Sequence, residues 1–150
     1  MKKKIQRYLS GEREGFSLIE LIIVIAIMAI LIGVIALVVL PYLSSSKVSK
    51  DHDTLNQVAT AFKSAVAVKK SQANISGKQF SQLDSALQTK IDELLDGTVA
   101  NAKAGLSSDA ASGKDFYFTY DSTGCYVTIG SPAVSDGEGG TFTTKAGAAS

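Results

Sequence analysis

The chain has 150 residues, which is enough for one globular domain and a separate anchor. A formal net charge of +1 provides no whole-chain argument for binding nucleic acid or an acidic partner. Cys125 is the only cysteine, so the chain forms no intramolecular disulfide and packing alone must hold an exported domain.

Charge is distributed unevenly along the chain. Residues 1–15 carry five basic and two acidic side chains, whereas residues 16–150 carry ten basic and twelve acidic ones. A basic segment before an apolar run is typical of membrane-directed N-termini, and the basic end stays in the cytoplasm. This order predicts a single-pass membrane segment with a cytoplasmic N-terminus.

The apolar run extends from Leu21 to Leu40 and contains neither a charged nor a polar side chain. A helix of this length rises about 30 Å, which matches the hydrocarbon core of a bilayer. Ile and Val favour strands in water, but in lipid the backbone must satisfy its own hydrogen bonds, so a helix is predicted. A cleaved secretory signal is the alternative, with its cleavage site among the serines at 44–46.

Glu20 is an acidic residue at the cytoplasmic edge of this run. A carboxylate placed in lipid costs up to about 3 kcal/mol at the bilayer centre and less near the interface. One interpretation is an interfacial side chain that reaches water. The other is a carboxylate that pairs with a cation supplied by a partner.

A short stretch at the start of the run resembles a known family. The basic leader, the sequence Gly15-Phe16-Ser17-Leu18-Ile19-Glu20-Leu21 and the apolar run together resemble the class III signal of type IV pilins. The resemblance implies cleavage by prepilin peptidase between Gly15 and Phe16, with N-methylation of Phe16. It further implies that Glu20 meets the N-terminus of a neighbouring subunit in the filament. This resemblance covers residues 1 to about 60.

Two features depart from common members of that family. Many members have a proline within the apolar segment, whereas the proline here is Pro41, after the run. The helix is therefore expected to bend or loosen at the membrane exit. Many Gram-negative pilins also close their C-terminal region with a disulfide, which a lone Cys125 cannot form, so a Gram-positive type is favoured.

The remaining chain predicts a mixed head. Residues 44–73 have the spacing of an amphipathic helix, whose apolar stripe consists of Val48, Leu55, Val58, Ala59, Phe62, Ala65 and Val66. A second helix is predicted from a further apolar stripe and a stop at Gly97, with Ser81 and Asp84 as a capping pair; the stripe is Phe80, Leu83, Leu87, Ile91, Leu94 and Leu95.

The C-terminal third alternates with the period of strands. Residues 114–120 and 125–129 predict a β-hairpin, and a third strand is expected at 141–145 or near Thr98. Residues 74–77, Asn-Ile-Ser-Gly, are expected to form a turn, and N-glycosylation of Asn74 is the alternative.

Two segments contain residue types that can bind metal ions. His52, between two aspartates, is expected to be a solvated side chain, because the chain has no second histidine for a metal site. Residues 135–140 are expected to form a flexible loop, and calcium binding there is the alternative, although the ligand spacing of an EF-hand is absent. No catalytic constellation, metal site or cofactor site is predicted.

The sequence thus predicts an α+β protein, in which a long N-terminal helix packs on a short helix and a small antiparallel sheet. Its expected parts are a leader at 1–15, a transmembrane and filament-core helix at 16–43 and a head at 44–150. The expected function is that of a pilus subunit for adhesion, motility or attachment, not that of an enzyme. The expected partners are identical subunits, prepilin peptidase and the assembly machinery, without direct nucleic-acid binding.

Two other roles remain open at this point. A minor pilin, or a pseudopilin of competence or secretion, would share the N-terminal signal but serve DNA uptake or filament initiation. A membrane-anchored binding domain would keep its helix uncleaved.

Overall fold

A computed structural model describes residues 16–68 and 74–146 of the chain. The chain divides into two compact units, with the boundary between Pro41 and Tyr42. The first unit contains the apolar run, and the second contains the head.

Helix α1 spans Leu18–Val68 and is the longest element, with 51 residues. Its residues up to Leu43 are exposed, and this part contains the apolar run. Pro41 lies inside the helix, so the helix does not end there. A proline in this place supplies no N–H to the carbonyl four residues earlier. The bend expected at this point stays a prediction.

The second half of α1 has a buried stripe, which confirms the predicted amphipathic helix. All seven predicted stripe residues are buried, and two further residues join them; the buried set is Val48, Asp51, Leu55, Val58, Ala59, Ala61, Phe62, Ala65 and Val66. The predicted end of this helix, at residues 69–73, lies outside the described residues.

The head contains one four-stranded antiparallel sheet. Its strands are β1 (Ile75–Gln79), β2 (Phe116–Asp121), β3 (Gly124–Ile129) and β4 (Thr143–Ala146), which lie in the order β1-β2-β3-β4. The pair of β2 and β3 confirms the predicted hairpin. Strand β4 confirms the third-strand candidate at 141–145.

Strand β1 shows that the turn predicted at residues 74–77 was wrong. Ile75 is buried and pairs with Tyr120, and the pairing shifts register between Ile75 and Lys78. Gly77 lies within this irregularity at a φ of +54°, which glycine adopts without strain. The irregular register accounts for the missed strand, because it breaks the alternation that identifies a strand in the sequence.

Two short helices precede β2. Helix α2 spans Ser85–Leu94 and follows a 3₁₀ turn at Phe80–Gln82, and helix α3 spans Val99–Ala104. The second predicted helix is therefore present but shorter than its apolar stripe, and the chain reaches it through the 3₁₀ turn.

Two of the sequence-based assignments in this region were wrong. Thr98 lies in no strand, because it is the N-cap of α3 and accepts a hydrogen bond from the Asn101 N–H. Ser81 and Asp84 are not a capping pair, because Asp84 itself is the N-cap of α2. The back-bond of the preceding turn instead runs from the Gln79 N–H to Gln82 Oε1, over 3.0 Å.

The core of the head lies between α1 and the inner face of the sheet. Phe62 of α1 is fully buried and meets Phe118 of β2 edge-on, with ring centroids 5.1 Å apart. Such a contact between rings adds to the stabilisation that burial alone provides. The predicted α+β arrangement, with a long helix, a short helix and a small antiparallel sheet, is confirmed, and α3 is a further short helix that was not predicted.

Candidate functional site

The N-terminal end of α1 is organised around Glu20. Ser17 directly precedes the helix, and its backbone N–H donates to Glu20 Oε2 over 2.8 Å. Glu20 is the third helical residue, so this bond is the back-bond of a capping box. A carboxylate in the first turn also interacts favourably with the partial positive charge of the helix N-terminus. Glu20 therefore stabilises the start of its own helix, a role that the sequence reasoning had missed although Ser-x-x-Glu is visible there.

The two residues predicted at the cleavage junction are not both described. Gly15 lies outside the described residues, whereas Phe16 is described and is 89% exposed.

Glu20 keeps acceptor capacity beyond its bond with Ser17. A carboxylate has about four lone-pair positions, so Glu20 can accept further hydrogen bonds beside the one from the Ser17 N–H.

The apolar part of α1 is exposed on every side. Every Ile, Leu, Val and Met side chain between Leu21 and Leu40 is exposed, and the other residues of this run are alanine and glycine. A helix that is apolar all round is stable in lipid or in a bundle of other helices, but not in water. By length and composition, α1 is able to cross a membrane.

The comparison with protein families bears directly on this segment. Residues 12–40 match the family model of the prokaryotic N-terminal methylation motif. The N-terminus is a prepilin signal. The match covers 29 of the 150 residues and none of the head. No curated protein and no solved structure matches the chain.

This match confirms the resemblance to type IV pilins that the sequence carries around Glu20. A pilin-like or pseudopilin-like prepilin with a methylation motif and a transmembrane helix is supported. Such prepilins are structural proteins and not a class of enzymes. The Gram-positive type stays a prediction, because the matched residues end before the head.

A buried carboxylate in the head was missed by the sequence reasoning. Asp51 of α1 is 0% exposed and lies within the apolar stripe. Its Oδ2 accepts from the backbone N–H of Ser108 at 2.8 Å and from the Ser108 hydroxyl at 2.5 Å. Its Oδ1 accepts from the Ser107 N–H at 2.9 Å. A carboxylate with several donors tolerates burial, so Asp51 fastens this distant segment to α1.

His52 lies beside Asp51 on the helix and contacts the C-terminal segment. Its Nε2 is 3.2 Å from Asp136 Oδ2, and its ring lies 4.7 Å from that of Phe142. The solvated histidine expected from the sequence is confirmed only in part, because the side chain is 36% exposed but Asp136, 84 positions away in the chain, partners the ring. Within the described residues, no group of three candidate ligands could hold a metal ion.

The loop predicted at residues 135–140 is held by hydrogen bonds. Asp136 Oδ1 accepts from the N–H groups of Glu138 and Gly140, each at 2.9 Å. These two bonds, followed by the contact with His52, lower the pKa of Asp136 below its ordinary value. Glu138 in turn accepts from the Ser45 hydroxyl of α1 over 2.6 Å. Both acidic side chains of the loop therefore bind groups of the protein itself.

Cys125 is buried in the inner face of β3. Burial raises the pKa of its thiol, an effect that the nearby Lys63 opposes. The thiol is therefore predominantly protonated at neutral pH, as expected for a cysteine that fills the core.

Proposed function

We propose that this protein is a structural subunit of a type IV pilus filament. The observation that carries the proposal is the methylation motif at residues 12–40, followed by an apolar helix half whose large side chains are all exposed. In the membrane, lipid covers this helix half, and in a filament the same surface packs against the helices of other subunits.

Cleavage of a leader peptide would divide the chain into three parts. Residues 1–15 are the leader, residues 16–43 the transmembrane and filament-core helix, and residues 44–150 the head. Prepilin peptidase cuts between Gly15 and Phe16, and the new α-amine of Phe16 is methylated. Glycine suits a narrow protease site because no side chain hinders an extended backbone there. Before assembly the chain spans the membrane once, with its N-terminus in the cytoplasm.

The proposed assembly contact is an ion pair between subunits. In a bundle of helices Glu20 leaves water, and an unpaired carboxylate there costs several kcal/mol. The Phe16 amine of a neighbour attracts it by about 4 kcal/mol at 4 Å in an effective dielectric near 20, before desolvation is subtracted. Because the Ser17 bond uses only part of its acceptor capacity, Glu20 can cap its own helix and pair with that amine at once.

This ion pair selects one axial offset between neighbouring helices. Moving a helix from lipid into a helix bundle gains little apolar burial, so packing and polar contacts must set the register. The same head-to-tail contact repeated along a helix gives an open filament of identical subunits. The assembly machinery at the membrane supplies the subunits, and the finished filament lies at the cell surface, where it serves adhesion, motility or attachment.

The methylation motif supports a second role as well, that of a minor pilin or a pseudopilin. The methylation motif also begins minor pilins and the pseudopilins of competence and secretion systems, and the match ends before the head. The abundance of the chain in sheared filaments separates these roles. A major subunit dominates such filaments, whereas a minor one is a trace component.

The test of the assembly contact separates the charge of Glu20 from its capping bond. Glu20→Gln keeps an acceptor for the Ser17 N–H but removes the charge, and Glu20→Ala removes both. Each variant is expressed without wild-type subunits, and cleavage, membrane insertion and filament yield are measured. Both variants are expected to be cleaved and inserted normally and to give few filaments. Glu93→Ala, an exposed change in α2, is the control and should assemble normally.

The two outcomes for Glu20→Gln have different meanings. Few filaments from Glu20→Gln support the charge pair, because the capping acceptor is still present. Abundant filaments from Glu20→Gln, with few from Glu20→Ala, would leave only the cap as the function of this residue and would refute the charge pair.

A further inference from the structure

The sequon that begins at Asn74 plays no part in the proposed assembly. Asn74-Ile75-Ser76 has the pattern Asn-x-Ser, in which x is not proline, and it is the only match to Asn-x-Ser/Thr in the 150 residues. The turn that was the competing interpretation of this stretch is absent, because Ile75 and Ser76 begin strand β1. Such a pattern accepts an N-linked glycan where it lies on the surface of an exported domain.

The two side chains that define the sequon are accessible in the folded head. Asn74 directly precedes β1, and Ser76 is the second residue of the strand. Both are exposed, whereas Ile75 between them is buried. Because successive side chains of an extended segment point to opposite sides, the Asn74 amide and the Ser76 hydroxyl both point away from the core.

Neither of these side chains is held by the rest of the head. Within residues 16–68 and 74–146, the Asn74 amide and the Ser76 hydroxyl make no hydrogen bond. At the other end of β1 the situation differs, since Gln79 Nε2 donates to the Tyr117 hydroxyl over 2.9 Å. Modification of the Asn74 amide therefore breaks no contact in the part of the head that the structure describes.

The position of β1 leaves room for a bulky group. It is the first strand of the order β1-β2-β3-β4, and among the described strands only β2 pairs with it. Beside the sequon, a Cβ added to Gly77 would meet no atom within 4 Å. An oligosaccharide on Asn74 can therefore extend from this edge of the sheet into solvent.

The sequon is also accessible before the head has folded. Ile75 pairs with Tyr120, and Lys78 pairs with Phe118, so both partners of β1 come much later in the chain. Strand β1 can form only after β2 has crossed the membrane. Until then the segment around Asn74 is unpaired, which gives a transferase access to it during export as well as afterwards.

We propose that Asn74 is the acceptor of an N-linked oligosaccharide, which a polyprenyl-diphosphate-linked oligosaccharide donates. Nδ2 of Asn74 forms a bond to the anomeric carbon of the first sugar, and the bond from that carbon to the diphosphate oxygen breaks. The lipid diphosphate leaves with the electron pair of that bond, and Nδ2 releases a proton. Ser76 is recognised through its hydroxyl group and stays unmodified.

This modification goes beyond the role of a filament subunit, but it rests on the proposed topology, which places the head outside the cytoplasm. The mature chain is purified from membranes of the cells that produce it, and the peptide that contains Asn74 is analysed by tandem mass spectrometry. We expect an added mass on Asn74 and fragment ions that derive from sugars.

Substitutions separate recognition of the sequon from attachment elsewhere. Asn74→Gln is expected to lose the added mass completely. Ser76→Ala should lose it as well, although Ser76 itself carries no sugar, whereas Ser76→Thr keeps a hydroxyl group and should retain the mass. Ser81→Ala, a change at an exposed serine outside the sequon, is the matched control and should be modified normally.

Protease treatment of intact cells shows separately whether the head lies outside. An unmodified Asn74 peptide in a head that the protease reaches would overturn the glycan inference and leave the proposed topology intact. An unmodified peptide in a head that the protease does not reach would contradict both. A sugar that Asn74→Gln retains would also refute the inference, because its acceptor would then be another side chain.

Discussion

Replacing Asp51 removes the acceptor that joins α1 to the segment around Ser108. In Asp51→Ala, the Ser108 N–H and hydroxyl lose their partner in a fully buried place. Hydrogen bonds to a charged group contribute about 1.5–3 kcal/mol each, so these two bonds together account for about 3–6 kcal/mol. The bond from the partly buried Ser107 N–H adds little, because water can replace the carboxylate there.

Two further variants make this prediction specific. Asp51→Asn keeps the shape and one oxygen, but its NH₂ group faces a backbone N–H, so a smaller loss of about 2–3 kcal/mol is expected. Asp53→Asn, two residues further along α1 and exposed, is the matched control and should stay within about 0.5 kcal/mol.

The measurement is the free energy of unfolding from urea titrations of a fragment that starts at Ser44. Asp51→Ala is compared with the wild type and with Asp53→Asn, and an unchanged slope of the titration is required for the comparison. A loss below about 1 kcal/mol for Asp51→Ala would refute the reasoning, because buried donors would then tolerate the loss of their acceptor.

Three more predictions concern the head. Phe62→Ala should reduce the free energy of unfolding by about 3–5 kcal/mol, and a loss under about 1 kcal/mol would contradict its place in the core. The pKa of Asp136 is lowered, so its contribution to stability is present above the ordinary aspartate pKa and is lost as pH falls below it. Below about pH 4, the ordinary range of an aspartate pKa, the free energy of unfolding should therefore depend less on pH in Asp136→Asn than in the wild type. The Cys125 thiol, whose pKa is raised by burial, should react with a thiol reagent only after denaturation; rapid reaction of the native protein would contradict this.

The elements with a regular period were predictable from the sequence. The stripe of α1 and the alternation of β2 and β3 follow from the directions in which successive side chains point in a helix and in a strand. The spacing of apolar residues was therefore sufficient to predict these elements. Strand β1 was not predictable in this way, because Gly77 and the shifted register interrupt its alternation. Asn74, directly before the strand, and Ser76 and Gly77 within it are residue types that favour a turn.

The two kinds of site differ in how far the sequence could lead. The N-terminal motif lies in one short contiguous stretch, so its chemistry could be inferred from those residues alone. The same stretch also contains the Ser-x-x-Glu pattern of a capping box, from which the bond between the Ser17 N–H and Glu20 could have been predicted. The contacts of Asp51 and His52 join residues more than 50 positions apart, and only the fold brings those partners together. For Asp51 one signal was available, since an aspartate within an apolar stripe needs buried donors.

The most direct test of the proposed pilus subunit is the mass of its mature N-terminus. The chain is purified both from membranes and from sheared filaments, and its N-terminal peptide is identified by mass spectrometry. The account predicts a chain that starts at Phe16 and carries one additional methyl group on its α-amine. An intact Met1 would contradict processing at Gly15, and a start near Lys47 would show that the apolar segment is a cleaved secretory signal.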